Sequence, residues 1–229
     1  MADRYFSAEP IQGSTATLAG NEAHHLLHVM RAQPGLELVL FDGTGGQYEA
    51  EVVQCKRSTV EVAVGPRQPI ERELPFQLTL AVAMPKGDRQ RWLVEKAVEL
   101  GVNRLVPLQT DRSGNSPKPD KLNRYVIEAS KQCGRNRLMQ LTSPSSWDDL
   151  LALETSGRHV FAHPGGVPFG QTGGEATSDI TIAVGPEGGF TDEEAAAAKT
   201  AGWTVVGLGD RIMRIETAAL ALVAAATIQ

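Results

Sequence analysis

The sequence predicts an α/β chain in two parts: a small antiparallel β unit over residues 1–70 and a larger domain over residues 74–229 with a mostly parallel sheet. Three observations carry this reading. Short stretches in the first third alternate apolar and polar residues with the period of a strand. After residue 76, strand-like runs alternate with helical segments, the pattern of parallel strands joined by helices. Near the C-terminus two glycine-rich loops, about twenty residues apart, each follow an apolar β-branched run and open a helix.

In the first part, Leu36–Phe41, Gln47–Val53 and Thr59–Val64 read as strands, and Asp42-Gly43-Thr44-Gly45-Gly46 between the first two is a hairpin signal. One short helix completes the unit. Pro66, Pro69 and Pro75 surround Glu71-Arg72-Glu73, which reads as the linker. Beyond it, Gln77–Ala83, Leu105–Leu108, His159–Ala162, Ile180–Val184 and Trp203–Leu208 read as strands, with helices such as Asp88–Leu100 between them. The last two runs are rich in β-branched and apolar residues, as strands buried on both faces tend to be.

The two loops are Gly185-Pro186-Glu187-Gly188-Gly189-Phe190 and Leu208-Gly209-Asp210-Arg211-Ile212-Met213-Arg214. Glycine after a buried strand lets backbone approach a ligand where a Cβ would collide. The common nucleotide templates fail: no Lys-Ser or Lys-Thr follows Gly188-Gly189, and neither loop has the G-x-G-x-x-G spacing. Pro186 fixes its own φ, and Thr191 with Glu194 three residues on reads as a capping box for the helix that follows. A tight αβ connection without a ligand is the alternative reading of either loop alone.

The segments G-P-E-G-G-F and L-G-D-R-I-M-R-I-E-T-A resemble the signatures of the ribosomal RNA small subunit methyltransferase E family. Those are knotted S-adenosylmethionine (SAM) enzymes of the SPOUT class that methylate N3 of a uridine in 16S rRNA. The resemblance runs the whole length, through Arg4-Tyr5-Phe6, the run from His24 to Arg31, Glu99–Val102, and Gln132 with Arg135. Ile215 stands where the family usually has threonine, Met213 where leucine is common and Met139 where a proline is expected.

The resemblance implies a PUA-like N-terminal domain, a trefoil-knotted SAM domain, a homodimer and 16S rRNA as partner. Carried onto this sequence, the cofactor residues are Ala162, His163, Gly185, Pro186, Glu187, Gly188, Gly189, Leu208, Gly209, Ile212, Met213, Arg214, Thr217 and Ala218. Glycines give backbone access, the apolar members supply walls, and Thr217 offers a hydroxyl. A ribose 2′-O-methyltransferase of the same class and a non-catalytic RNA-binding protein are the alternatives. The ribose enzymes carry an asparagine-rich motif where this chain has Arg214-Ile215-Glu216-Thr217.

Composition fits a soluble cytoplasmic enzyme: 229 residues, 41% hydrophobic and 21% charged. No basic segment with an apolar core opens the chain, and Ala218–Ile228, its longest apolar stretch, falls short of the ~20 residues of a membrane span. Cys55 and Cys133 are isolated from each other, without a metal-ligand pattern, so they read as reduced structural thiols. The final helix, Glu216–Gln229, is apolar over more of its surface than one packing face needs, which points to a dimer.

A net charge of −5 argues mildly against nucleic acid, so the distribution of charge decides. Lys121, Arg124, Glu128, Lys131 and Arg135 step by three and four along one predicted helix face, while Leu122, Val126, Ala129 and Cys133 step along another. Lys118 and Arg137 extend the basic face, and Asp111–Pro119 reads as a loop beside it. Such a face is commonly solvated surface; the resemblance makes it an RNA-facing one, with Lys121, Arg124, Lys131, Gln132 and Arg135 as contacts. Arg4, His25 and Arg31 join them from the N-terminal part. His24 and His28 have the i, i+4 spacing of a metal pair, but no third ligand is evident nearby and the resemblance implies no metal; a helix-surface histidine cluster without a specific role is the alternative to an RNA-facing one.

Methylation at N3 requires loss of a weakly acidic proton, in-line positioning and stabilisation of charge growing on the base oxygens. Cationic Arg211 and Arg214 both suit that last demand, and resemblance to the family's R-x-x-R-x-E-T-A pattern implies Arg214 as the one that orients the uracil. A guanidinium stays protonated and cannot be the base. Glu216 or Glu187 is left to take the proton, directly or through water, unless each instead holds an arginine or caps a loop.

Overall fold

The computed structural model describes residues 3–114, 119–153, 157–173 and 178–228. Lys118, residues 115–118 of the predicted loop and Gln229 lie outside them. The chain divides into two compact units. One is Met1–Glu73 with Ser130–Leu138, the other Leu74–Ala129 with Met139–Gln229.

The first unit is a curled sheet of five strands: β1 (Arg4–Phe6), β2 (Thr15–Leu18), β3 (Glu37–Phe41), β4 (Gln47–Cys55) and β5 (Val60–Gln68), in the order β1-β3-β4-β5-β2. Along β4 the expected alternation appears as buried Tyr48, Ala50 and Val52 between exposed Glu49, Glu51 and Val53. The hairpin closes with Phe41 opposite Gln47. Its turn is held by Asp42, whose carboxylate accepts from the Thr44 amide and hydroxyl, and Gly43 and Gly45 take the positive φ the turn demands. β1 departs from an all-antiparallel unit by pairing parallel with β3. A short helix α1 (Gly20–His24) runs into a π-helical turn, His25–Val29.

The Glu71–Glu73 stretch is not a free linker. Arg72 donates to the Gly134 carbonyl at 2.9 Å, Asn136 Nδ2 to the Ile70 carbonyl at 2.8 Å, and Arg135 Nε to Glu73 at 3.0 Å. These bonds explain why residues 130–138 belong with the N-terminal unit, a division that sequence position alone does not suggest.

The second unit carries a seven-stranded sheet, and every pairing in it is parallel. Its elements are β6 (Leu78–Val82), α2 (Arg89–Glu99), β7 (Arg104–Gln109), α3 (Pro119–Cys133) as far as Ala129, β8 (Gln140–Leu141), β9 (Ser145–Ser146), α4 (Trp147–Leu151), β10 (Arg158–Val167), a 3₁₀ turn at Phe169–Gln171, β11 (Ile180–Val184), α5 (Asp192–Thr200), β12 (Thr204–Val206) and α6 (Ile215–Thr227). The order runs β12-β10-β11-β6-β7-β8, so β11 and β6 lie centrally, and both are buried along most of their length. This is the expected α/β class with its curled N-terminal sheet. No helix among the described residues is long and apolar enough to cross a membrane.

Two expectations need correction here. The helix carrying the basic stripe ends at Cys133, where Gly134 (φ +84°) provides a left-handed C-terminal cap, so Arg135 is off the helix face. The apolar surplus of α6 is consumed within the unit. Ile215, Ala218, Ala219, Leu222, Val223 and Ala226 are buried as the helix packs on β6, β11 and α2, so α6 does not itself call for a second copy.

Candidate functional site

In a parallel sheet, ligand sites form beyond the carboxyl ends of the strands. Here the loops after β11 and β12 and a bulge near the end of β10 meet at one cavity of about 350 Å³, within the roughly 300–1,000 Å³ of small-molecule sites.

The first loop is stiffened from behind. Phe190 is buried against Trp147 at 4.5 Å and Phe161 at 5.6 Å between ring centroids, and a Cβ at Gly185 would stand 3.1 Å from its ring. The capping box forms as read: Thr191 Oγ1 accepts from the Glu194 amide at 3.1 Å while Glu194 Oε2 accepts from the Thr191 amide at 2.8 Å. The other oxygen of Glu194 accepts from the Asp111 amide at 3.0 Å, and Arg112 Nη1 donates to the Gly188 carbonyl at 2.6 Å. The turn after β7 is thereby fastened to the loop after β11.

A third loop comes from a bulge in β10: the segment ending in Ala162, His163 and Pro164 was expected at this edge, the bulge was not. Ala162 and Val167 both pair with Val206, and residues 163–166 bow out between them. Gly166 and Gly207 make this possible, since a Cβ on Gly207 would stand 2.4 Å from the Gly166 carbonyl oxygen. The Pro164-Gly165-Gly166 run was the available signal.

All the predicted cofactor residues line the cavity except Gly188, Arg214 and Thr217; Pro164, Gly165, Val184, Val206, Asp210, Arg211 and Ile215 join them. The open side of Gly188 faces the aliphatic part of Arg112, 3.1 Å from where its Cβ would be. Arg214, just before α6, and Thr217 in its first turn are exposed.

Glu216 is also outside the cavity wall. It is 5% exposed, with Oε2 3.6 Å from Arg89 Nη1 and in no hydrogen bond, while Arg89 Nη2 lies 3.6 Å from Glu187 Oε1. Arg89 therefore spans a buried carboxylate and a wall carboxylate. Glu216 is held in an ion pair behind the loops rather than presented to a ligand, which corrects its expected place among reacting groups.

The predicted RNA contacts separate into two sets. Arg31, Lys121, Arg124 and Gln132 are exposed, and Arg31 takes a positive φ of 52°. The others are engaged within the N-terminal unit. Arg4 donates to Gln47 at 2.9 Å and Asn136 at 2.6 Å, His25 Nδ1 lies 3.2 Å from the Tyr5 hydroxyl, and Lys131 Nζ is 3.0 Å from Glu22. Arg135 is 4% exposed and paired with Glu73. The His24 and His28 rings lie tilted at 46° with centroids 4.7 Å apart, and no group of three or more potential metal-ligand side chains (His, Cys, Asp, Glu) occurs among the described residues.

Residues 72–227 match an RNA methyltransferase domain family and residues 18–64 an RNA methyltransferase PUA domain. The chain is 31% identical to ribosomal RNA small subunit methyltransferase E of Synechocystis, over 92% of its length and 72% of that protein's. It is 27% identical to the enzyme of that name from Bacillus subtilis, covering 95% and 91% of the two chains. A crystal structure of a ribosomal RNA small subunit methyltransferase E from Neisseria gonorrhoeae bound to S-adenosylmethionine is 29% identical and covers 98% of this chain and 96% of its own, with a TM-score of 0.89. With two thirds of its length in that domain and a PUA domain before it, the chain belongs to the RNA methyltransferase family.

Proposed function

We propose that this protein transfers the methyl group of SAM to N3 of a uridine in 16S rRNA, in the cytoplasm. One observation carries the reading: the glycine loops, in a chain of this family, frame a small-molecule cavity at the carboxyl ends of three parallel strands. The residues present suit SAM. Main-chain groups around Gly185, Gly189 and Gly209 are open to an adenine edge, Leu208, Ile212, Met213 and Ala218 are apolar, and Glu187 and Asp210 offer carboxylates to hydroxyl or cationic groups. When bound, SAM supplies an electrophilic methyl on a positive sulfur.

The test is incorporation of labelled methyl into small ribosomal subunits from cells lacking the protein, with the product nucleoside identified by mass spectrometry. N3-methyluridine is expected; a 2′-O-methylated nucleoside would assign the ribose reaction instead.

Exposed and beyond the cavity wall, Arg214 is free to reach the RNA, and we assign it the uracil oxygens. Losing a positioned charge donor costs on the order of 10²-fold in rate. Arg214→Ala should therefore bind SAM normally and methylate slowly in single turnovers, and near-normal turnover would shift the role to Arg211. Arg31, Lys121, Arg124 and Gln132 are the remaining proposed RNA contacts.

A second copy of the chain belongs to the same reading. Ile212 on the cavity rim is fully exposed and Trp92 on α2 is 46% exposed, apolar surface that a partner subunit would cover. Light scattering at micromolar concentration should give twice the chain mass.

A further inference from the structure

Glu187 stands in the wall of two cavities. Besides the cofactor cavity it lines a smaller space of about 30 Å³, shared with Met84, Lys86, Ser113 and Gly114; Pro186 and Ile215 are common to both. A space of this size holds one water when two to four polar groups surround it. Lys86, Ser113 and Glu187 are the polar side chains there.

One side of this space is held by hydrogen bonds, while Lys86 and Glu187 reach it from exposed positions. Ser113 Oγ accepts from the Thr110 amide at 2.9 Å, and the Ser113 amide donates to the Thr110 carbonyl at 3.0 Å, closing the turn after β7. Arg112 and the Asp111 amide fasten that turn to the loop carrying Glu187, through the Gly188 carbonyl and Glu194. Arg89 Nη2 lies 3.6 Å from Glu187 Oε1, an ion pair on the solvent side of the carboxylate. Glu216, the other glutamate weighed for the proton, lines neither cavity.

From this juxtaposition we infer that Glu187 takes the N3 proton of the acceptor uracil through a water seated between it, Lys86 and Ser113. The inference rests on the uridine-N3 reading above. At N3 the electron pair of the N–H bond stays on nitrogen and becomes the new N–CH₃ bond, while the methyl–sulfur pair remains on sulfur as a neutral thioether. The proton passes to the water, and a proton of that water passes to the Glu187 carboxylate. A sulfonium and a carboxylate at the start thus become a thioether and a carboxylic acid. Lys86 donates to the water and fixes its orientation, and Arg89 is a positioning residue for the carboxylate.

The test uses the full chain with labelled SAM at saturation and small subunits lacking the mark, in single turnovers from neutral to alkaline pH. General-base help is worth about 10²–10⁴-fold. Glu187→Gln should lose that much at neutral pH, and its residual rate should climb about tenfold per pH unit as hydroxide replaces the carboxylate. Ser113→Ala, with one water partner gone, should lose about tenfold with SAM affinity unchanged by calorimetry. A Glu187→Gln enzyme whose rate keeps the unsubstituted pH profile, whether slower or not, overturns the inference and leaves Glu187 as a loop residue. Failure of the unsubstituted protein to methylate uridine N3 would overturn the reading of function instead.

Discussion

The two ends of the predicted basic stripe, though each is a lysine and an arginine one helical turn apart in sequence, have different fates. Lys121 and Arg124 lie on exposed turns of α3, where Lys121 sits 6.0 Å over the Tyr125 ring, itself 5.6 Å from the Arg91 guanidinium. Lys131 and Arg135, ten and eleven residues further on, are drawn into ion pairs with Glu22 and Glu73 of the N-terminal unit. Helical periodicity reports which side chains share a face. It carries no information about acids more than sixty residues away that meet that face, and a glycine at position 134 ends the periodicity before the last cation is reached.

The comparison breaks most sharply at Arg135. Its side chain and that of Glu73 are 4% and 8% exposed, so removing one partner strands a buried charge, at a cost of about 3–5 kcal/mol. Arg135→Ala should lower the unfolding free energy measured by chemical denaturation by that margin. The double change Arg135→Met with Glu73→Leu should recover most of the loss, because an apolar pair of similar volume avoids desolvating either charge. If the double variant is stable yet binds RNA weakly, Arg135 is a nucleic-acid contact after all and the two ends of the stripe are alike.

Lys131 is an intermediate case. With its side chain 16% exposed and that of Glu22 12%, the pair is neither solvated nor sealed, and Lys131 also lies 5.4 Å over the Tyr5 ring. Lys131→Ala should cost roughly 1–2 kcal/mol, between the values for exposed and buried pairs. A cost below about 0.5 kcal/mol in chemical denaturation would place Lys131 with the exposed cations.

The pocket loops show the converse, a site largely legible because its determinants are local. Gly185-Pro186, the Thr191–Glu194 box and Gly209 act within a few residues of themselves, and the alternation of strands and helices fixes where such loops meet. What escaped was non-local. Arg112 closes on Gly188 across 76 residues, Glu194 receives the Asp111 amide across 83, and Glu216 meets Arg89 from a different element. The bulge at residues 163–166 escaped for a related reason: Gly166 and Gly207 are mutually permissive, and neither explains itself alone. In the N-terminal unit the hairpin at Asp42 was legible from its own turn chemistry, whereas β1 and β2 are too short for a period to register.

The smallest effect on stability is expected at the exposed end of the stripe. Lys121 and Arg124 are solvated, and surface substitutions away from caps and buried partners typically stay within about 0.5 kcal/mol. Their effect should instead appear in binding. If both meet phosphates, Lys121→Glu with Arg124→Glu removes two counterion-releasing contacts, so the slope of log affinity against log salt should flatten by about one unit for each. SAM affinity should be unchanged, since neither residue lines the cofactor cavity. Filter binding of an rRNA fragment over a range of salt concentrations measures the slope directly. An unaltered slope with weakened binding would mean that the two reversals act through repulsion at a distance rather than through lost contacts. An unaltered affinity would make the exposed end of the stripe solvated surface, differing from the paired end in burial but not in function.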